Sequence, residues 1–291
     1  MGKQKRSENT YQKIQTVFKR DEKNVIMPYA ELTQPEFDFL RDKPWRCEEK
    51  IDGTNIRIEV ERLAVIDYED GSKTYPGDTW EQTGKQESDI SAVEFLVRFR
   101  GKTDNADIHP RLMQHLTETY PRRKVLAALG LEGIIEREQW PDHKWQSIDD
   151  IPQRYTIYGE GYGAKIQKAG GNYLSQSNGF IVFDVKVDDL YLLCSARDEI
   201  AQKLGAPVVP FIGMMTLDEA IQYVRTGFKS RIAENKDFMA EGLVISNELG
   251  LKTRRGERII TKLKTCDFQK YRQVYGTDEH VEQRVNSHIE E

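Results

Sequence analysis

Apolar and polar residues alternate in short runs along much of the chain, the period-two signature of strands with one buried face. Such runs predict strands at 55–60 (NIRIEV), 94–99 (EFLVRF), 154–159 (RYTIYG), 180–187 (FIVFDVKV), 242–246 (GLVIS) and 258–264 (RIITKLK). Helical signals fall between them. Residues 195–205 offer Ser195 as an N-cap, Asp198 three positions on and Gly205 as a stop, and residues 216–227 open on a Thr216/Glu219 capping box and close at Gly227. One or two further helices are expected within 108–129, broken near Pro121. The spacing follows no regular strand–helix–strand repeat, so the predicted class is α+β, with mostly antiparallel sheets flanked by helices.

A chain of 291 residues suggests one or two domains. No repeat, low-complexity tract or Pro/Gly/Ser-rich linker divides it. The pattern reads as one domain over 1–270, including an N-terminal extension over 1–45, followed by a polar tail over 271–291 that is either a short helix or frayed. With 38% hydrophobic and 31% charged residues, no run approaches the length needed to span a bilayer. The first residues, MGKQKRSENTYQKIQ, lack the apolar centre of a signal peptide. Three scattered cysteines (Cys47, Cys194, Cys266) suit a reduced compartment, so a cytoplasmic location is expected. The net charge of −5 argues against a protein that coats nucleic acid. Charge is uneven, however. Residues 250–272 hold eight Lys/Arg against two acids, a local excess of six that could collect phosphates.

One stretch changes the picture. In CEEKIDGTNIRIEV, residues 47–60, Lys50 stands before an Asp52-Gly53 turn and a strand. An isolated lysine is usually a solvated surface residue. Here it ends a rigid element and faces wherever the turn opens. A neutral lysine amine is a good nucleophile. Attack on the α-phosphorus of a nucleoside triphosphate would form a phosphoramide and expel pyrophosphate. That chemistry asks for cations around the α-phosphate, a carboxylate for a hydrated metal, and a platform for sugar and base. Lys262 and Lys264 lie two apart on a predicted strand and so share a face. Glu241 stands at the entrance of an apolar strand. Glu160, in YGEGYGAKIQKAGGNY, sits between Gly159 and Gly161, where bare backbone lets a ribose approach. Phe183 could stack on a purine.

Assembled, these residues resemble the covalent nucleotidyltransferase superfamily of polynucleotide ligases and messenger-RNA capping enzymes, and most closely RNA ligases of the phage T4 RNA ligase 2 type. The matching segments are KIDGTN (50–55), YGEGYGAKIQK (158–168), FIVFD (180–184), EGLV (241–244) and TKLK (261–264). The resemblance implies an adenylation domain built around a nucleotide cleft. It implies ATP as the nucleotide, Mg²⁺ or Mn²⁺ as the metal, and Lys50 as the residue that carries AMP. Glu49 would lie where the backbone recognises adenine, Asn55 near the phosphates, Glu160 on the ribose and Phe183 on adenine. Glu241 would hold or orient the metal, and Lys262 and Lys264 the α-phosphate. Relatives carry an arginine where RFRGKTDNAD places Lys102, which keeps the charge without the bidentate fork. The implied reaction joins a 3′-OH to a 5′-phosphate, with RNA favoured and RNA repair as the setting. A DNA ligase or a capping guanylyltransferase would use the same lysine, and a non-catalytic nucleotide-binding module would keep the charges without the adduct. The chain reads as lacking both the C-terminal domain of that phage enzyme and the OB domain that follows in DNA ligases. Residues 252–258 and 98–102 are candidates to face RNA, and a protein partner could supply further substrate affinity.

Overall fold

The computed structural model describes residues 10–28, 32–67, 73–74, 90–131, 133–139, 145, 147–279, 281 and 283. The first nine residues of the expected N-terminal extension and the last eight of the expected tail lie outside the described residues. The chain forms two compact units, each assembled from interleaved segments.

The first unit takes Thr54–Gly161 and Asn178–Val208, with the described end of the N-terminal segment, Thr10 and Tyr11. Its strands are β3 (Thr54–Asp67), β4 (Lys73–Thr74), β5 (Ile90–Arg100), β6 (Ile134–Glu136), β7 (Arg154–Gly163), β8 (Asn178–Val187) and β9 (Leu190–Tyr191). They form one sheet in the order β6-β5-β3-β7-β8-β9, with β4 paired to β3. Ile56, Ile58 and Val60 alternate along β3 and are fully buried, as the period-two pattern requires. The helices α2 (Pro110–Thr119) and α3 (Arg122–Ala128) are separate, and Pro121 caps the second. Helix α5 (Cys194–Leu204) ends on Gly205 in the left-handed region, as expected, but Leu193 is its N-cap and no side chain caps it. Ser195 lies one residue inside the helix, so its expected capping role is corrected. Packing gives Gly159 and Gly161 a reason of their own. A Cβ at Gly159 would meet the Phe180 ring at 2.2 Å, and one at Gly161 would meet Leu112 at 2.4 Å. Neither position has space for a Cβ on that face.

The second unit takes Gln12–Gly53, Tyr162–Ser177 and Val209–Glu291. Its sheet runs β1 (Gln15–Thr16), β12 (Ile260–Lys264), β11 (Gly242–Ser246), β2 (Trp45–Lys50) and β10 (Phe211–Met215), in that order. Only β1–β12 is parallel among the paired strands of this sheet. One face carries Trp45, Cys47, Leu243, Ile245 and Leu263, which bury against α6 (Leu217–Thr226) and α7 (Thr265–Tyr275) through Leu217, Ile221, Val224, Phe268 and Tyr271. The Thr216/Glu219 capping box that opens α6 is formed on both sides. Two short helices, α1 (Pro35–Phe39) and α4 (Gly170–Tyr173), complete this unit. Val17, Phe18, Val25, Ile26 and Phe37, from the segment read as an extension, belong to this core. The expected boundary at 270 falls within α7, and Val281 beyond it is fully buried.

The register aligns Lys50 with Gly242 and Gly242 with Lys264 across three neighbouring strands. Gly242 has φ +152°, and a Cβ there would lie 2.0 Å from the Leu263 carbonyl oxygen. Only glycine fits. Its conformation interrupts the alternation of β11 and lets Glu241 reach the face that carries the two lysines. Gly242→Ala is expected to lower stability by about 2 kcal/mol or more. Urea denaturation checks this, and an unchanged midpoint would contradict it.

Candidate active site

On the face opposite the α6/α7 core, Lys50 and Lys264 flank a single carboxylate. Glu241 accepts from Lys50 Nζ at 2.6 Å through Oε2 and from Lys264 Nζ at 2.6 Å through Oε1. The three side chains are 21%, 29% and 15% exposed, wet enough to meet a ligand and dry enough for their charges to be felt. The Glu241 carbonyl oxygen accepts from Thr265 N at 2.9 Å, which fixes its backbone to the start of α7. Lys262 lies two residues before Lys264 on the same face and is half-buried. Burial holds its ammonium below the ordinary lysine range, and the positive charges of Lys264 and Lys50 push it the same way. For Lys264, burial acts downward, but the hydrogen bond and charge of Glu241 outweigh it and the net shift is upward. Burial raises the Asp52 carboxyl and the Glu241 charge adds to that, against Lys50 and Lys264. Three lysines against one fully engaged carboxylate and one partly suppressed carboxyl make a site suited to an anion.

The turn after Lys50 is held from the Tyr162–Ser177 segment. Asp52 N donates to the Tyr173 hydroxyl at 3.1 Å, and Gln167 Nε2 donates to the Gly53 carbonyl at 3.1 Å. Tyr173 is fully buried, edge-on to Tyr162 and Phe238. Lys165 and Gln167 both have positive φ, +65° and +54°, a strained pair that persists only where the surroundings over-determine it. Glu49 points to the other face of the sheet. It is buried, accepts from Ser230 Oγ and from Arg231 N at 2.8 Å, and its carboxyl is raised by burial against those two hydrogen bonds. Sequence reading missed Tyr173, Gln167, Ser230 and Arg231. The AKIQKAGGNY run after Glu160 was visible, but nothing in it pairs Gln167 or Tyr173 with a turn more than a hundred residues earlier.

The other expected residues belong to the first unit. Asn55 and Glu160 are direct cross-strand partners. Asn55 Oδ1 is buried without a hydrogen-bond partner, so an acceptor is left for a donor from outside. Phe183 is half-buried. It stacks on Tyr158 with centroids 6.4 Å apart and meets Tyr11 edge-on at 5.0 Å, while the Tyr11 hydroxyl donates to Asp184 Oδ2 at 2.9 Å. Lys102 is exposed, in a loop organised by Arg57. That guanidinium is fully buried and donates to the Gly101 carbonyl (2.8 Å), Asp104 Oδ1 (2.8 Å) and Glu59 Oε1 (2.7 Å). Tyr11 and Arg57 also escaped the sequence reading, because the partners of Tyr11 lie on strands far along the chain and two of the three acceptors of Arg57 lie in a loop more than forty residues on.

A sequence model of the family described as RNA ligase matches residues 43–264, well over half of the chain and all the motifs above. The chain belongs to the RNA ligase family. No curated protein sequence matches it. Solved structures of an RNA ligase from Naegleria gruberi are similar to it. A point mutant with ATP and Mn shares 14% identity, covers 82% of this chain and 54% of its own, and has a TM-score of 0.46. A mutant with AMP and Mn gives 14%, 82%, 55% and 0.46, and an apo mutant gives 14%, 94%, 64% and 0.47. This RNA ligase family member thus spans about half the length of the first of those chains.

Among the described residues, no group of three or more His, Cys, Asp or Glu side chains gathers into a protein-only metal cage. A small hard divalent cation does not need one. It keeps its waters and binds through one or two carboxylates plus substrate phosphates. Glu241 and Asp52, close enough for their charges to interact, fit that requirement in this RNA ligase family member.

The Lys262 shift gives a test. Below the lowered folded value both states hold the proton, and the charged form is penalised in the fold. Between that value and 10.5 the unfolded chain binds more protons, so stability rises with pH. Lys262→Met should be more stable than wild type at neutral pH, with an advantage that shrinks as pH climbs towards 10.5. Urea denaturation at both ends of that window checks it, and a constant advantage would contradict it.

Proposed function

We propose that this protein is an ATP-dependent RNA ligase that works through a Lys50–AMP intermediate. The observation that carries the reading is the Lys50–Glu241–Lys264 bridge, in which the lysines that end β2 and β12 share one carboxylate beside a third lysine, Lys262. In the first step the Lys50 proton leaves towards Glu241, the carboxylate it already touches. The freed amine attacks the α-phosphorus of ATP; a P–N bond forms, the bond to the bridging oxygen breaks, and pyrophosphate departs. Lys262 and Lys264 draw off the negative charge that builds on the α-phosphoryl oxygens. In the second step a 5′-phosphate oxygen of RNA attacks the same phosphorus, and the leaving amine of Lys50 takes a proton back. In the third, a 3′-OH attacks the activated 5′-phosphorus and AMP leaves. A divalent metal held at Glu241 and Asp52 would supply further charge neutralisation at the phosphates.

The first unit supports the same reading. Asn55 offers its unsatisfied acceptor, Glu160 beside it a carboxylate for ribose hydroxyls, Phe183 an aromatic face for adenine, and Lys102 an exposed cation for phosphate. Glu49, with its side chain committed to Ser230 and Arg231, contributes by fixing the backbone next to Lys50 against Pro210, whose carbonyl accepts from Glu49 N at 2.9 Å. RNA repair is the setting such an activity suits, with a protein partner supplying affinity for particular ends.

Incubation with α-labelled ATP or GTP and magnesium or manganese, followed by a denaturing gel, tests the reading. Wild type should take label from ATP only. Lys50→Ala should take none, and Glu241→Ala and Lys264→Ala should be slowed by about a hundredfold or more. An unlabelled wild type whose intact mass also shows no bound AMP would overturn the proposal.

A further inference from the structure

The connection between β11 and β12 is a folded projection. Gly250 N donates to the Asn247 carbonyl at 3.2 Å and Leu249 N to Asn247 Oδ1 at 2.8 Å, which turns the chain once. A small hairpin follows. Ile259 N donates to the Leu251 carbonyl at 3.0 Å, Lys252 bridges Arg258, and Thr253 N donates to the Glu257 carbonyl at 2.7 Å. Gly256 N closes the tip on the Thr253 carbonyl at 2.9 Å, with φ +80° at Gly256. The Thr253 hydroxyl accepts from Arg255 N at 3.2 Å and from Glu257 N at 3.3 Å. Arg254 and Arg255 therefore take the two central positions of a braced turn, where side chains point away from the hairpin.

Lys252, Arg254 and Arg255 are exposed, and none of the three forms an ion pair among the described residues. Residues 252–258 hold four Lys/Arg against Glu257, an excess of three on a chain of net charge −5, a local field that attracts polyanions. The place matters as much as the charge. The hairpin leaves the sheet beyond the row Arg46–Ser246–Ile260, and Lys50 lies in the row Lys50–Gly242–Lys264. Those rows are four residue steps apart, about 13 Å along the strands. The hairpin thus departs from the end of the sheet away from Lys50.

We propose that this hairpin tip binds the phosphate backbone of the RNA substrate away from the join, through Lys252, Arg254 and Arg255. The proposal rests on the ligase reading for the identity of the polyanion. Adjacent guanidinium forks on a rigid turn suit successive phosphates, and such contacts set register without reading sequence. With one phosphate per strand for about every 3.4 Å of helix axis, as in B-form DNA, 13 Å along the axis corresponds to about four phosphates. RNA must extend at least that far from the join to engage the tip.

The test measures binding directly, by fluorescence anisotropy of a labelled nicked RNA duplex of about 20 base pairs over a salt titration. Wild type is compared with the triple variant Lys252→Ala/Arg254→Ala/Arg255→Ala, with the thermal midpoint as the check on folding. The expected result is binding at least about tenfold weaker at low salt, with the slope of log K against log salt reduced by about two to three. Arg254→Lys/Arg255→Lys should keep most of the slope. Unchanged affinity and slope in the alanine variant would overturn the proposal and leave an acidic protein as the polyanion. Weaker binding with an unchanged slope would overturn it too, since phosphate contacts must change the salt dependence. The Lys50 labelling experiment reports separately on the ligase reading. If wild type takes no label yet the triple variant loses RNA binding as expected, the activity fails and the surface stands.

Discussion

Three lysines on one face of a small sheet repel one another, and one carboxylate holds two of them in place. Glu241 spans Lys50 and Lys264 with one oxygen for each. It can do so because Gly242 adopts a conformation no other residue would tolerate against the Leu263 carbonyl. Much else in the second unit is arranged around that bridge. The start of α7 ties down the Glu241 backbone, and a strained segment ties down the turn after Lys50. Partial burial keeps the charges strong enough to matter.

The arrangement is balanced but not saturated. Lys262 stands beside the bridge, desolvated and repelled, with its positive form disfavoured. An anion entering beside it would relieve that repulsion, so the site's unfavourable electrostatics are a reserve that a phosphate can release.

Much of this was legible in the sequence. Period-two runs located six strands, of which 242–246 coincides with β11 and the others are cores of longer or slightly displaced strands, such as 55–60 within Thr54–Asp67. The lysine pair two residues apart did share a face, because alternation is a property of the backbone. Among the described strands that escaped, β1, β4, β6 and β9 have only two or three residues, too few to show a period, while β2 (Trp45–Lys50) and β10 (Phe211–Met215) lack clean alternation. WRCEEK buries a glutamate on the core side, and FIGMM is an edge strand with partly exposed apolar residues. Local patterns cannot announce a buried carboxylate that Ser230 and an Arg231 amide satisfy from 180 residues away. The same limit hid Arg57, whose β-strand position reads as solvent-facing until the loop that accepts its hydrogen bonds is known. Ser195 failed as a cap for the opposite reason: the local signal was present, but the helix starts one turn position earlier at Cys194.

The interleaving of the two units has a consequence for how the protein is made. Strand β2 carries Lys50, yet its neighbour β11 begins at residue 242, and β12 only at 260. At ordinary ribosomal speeds of about 5–20 residues per second, Lys50 waits roughly 10–40 seconds for Glu241 and the strand that follows it. Until then β2 has an unpaired edge on that side, a surface prone to pairing with other chains. Such long-range pairing folds slowly. A nascent chain therefore carries Lys50 early but gains Glu241, Lys262 and Lys264 only about 190–215 residues later, so the charge cluster on this face assembles late, after most of the first unit has been made.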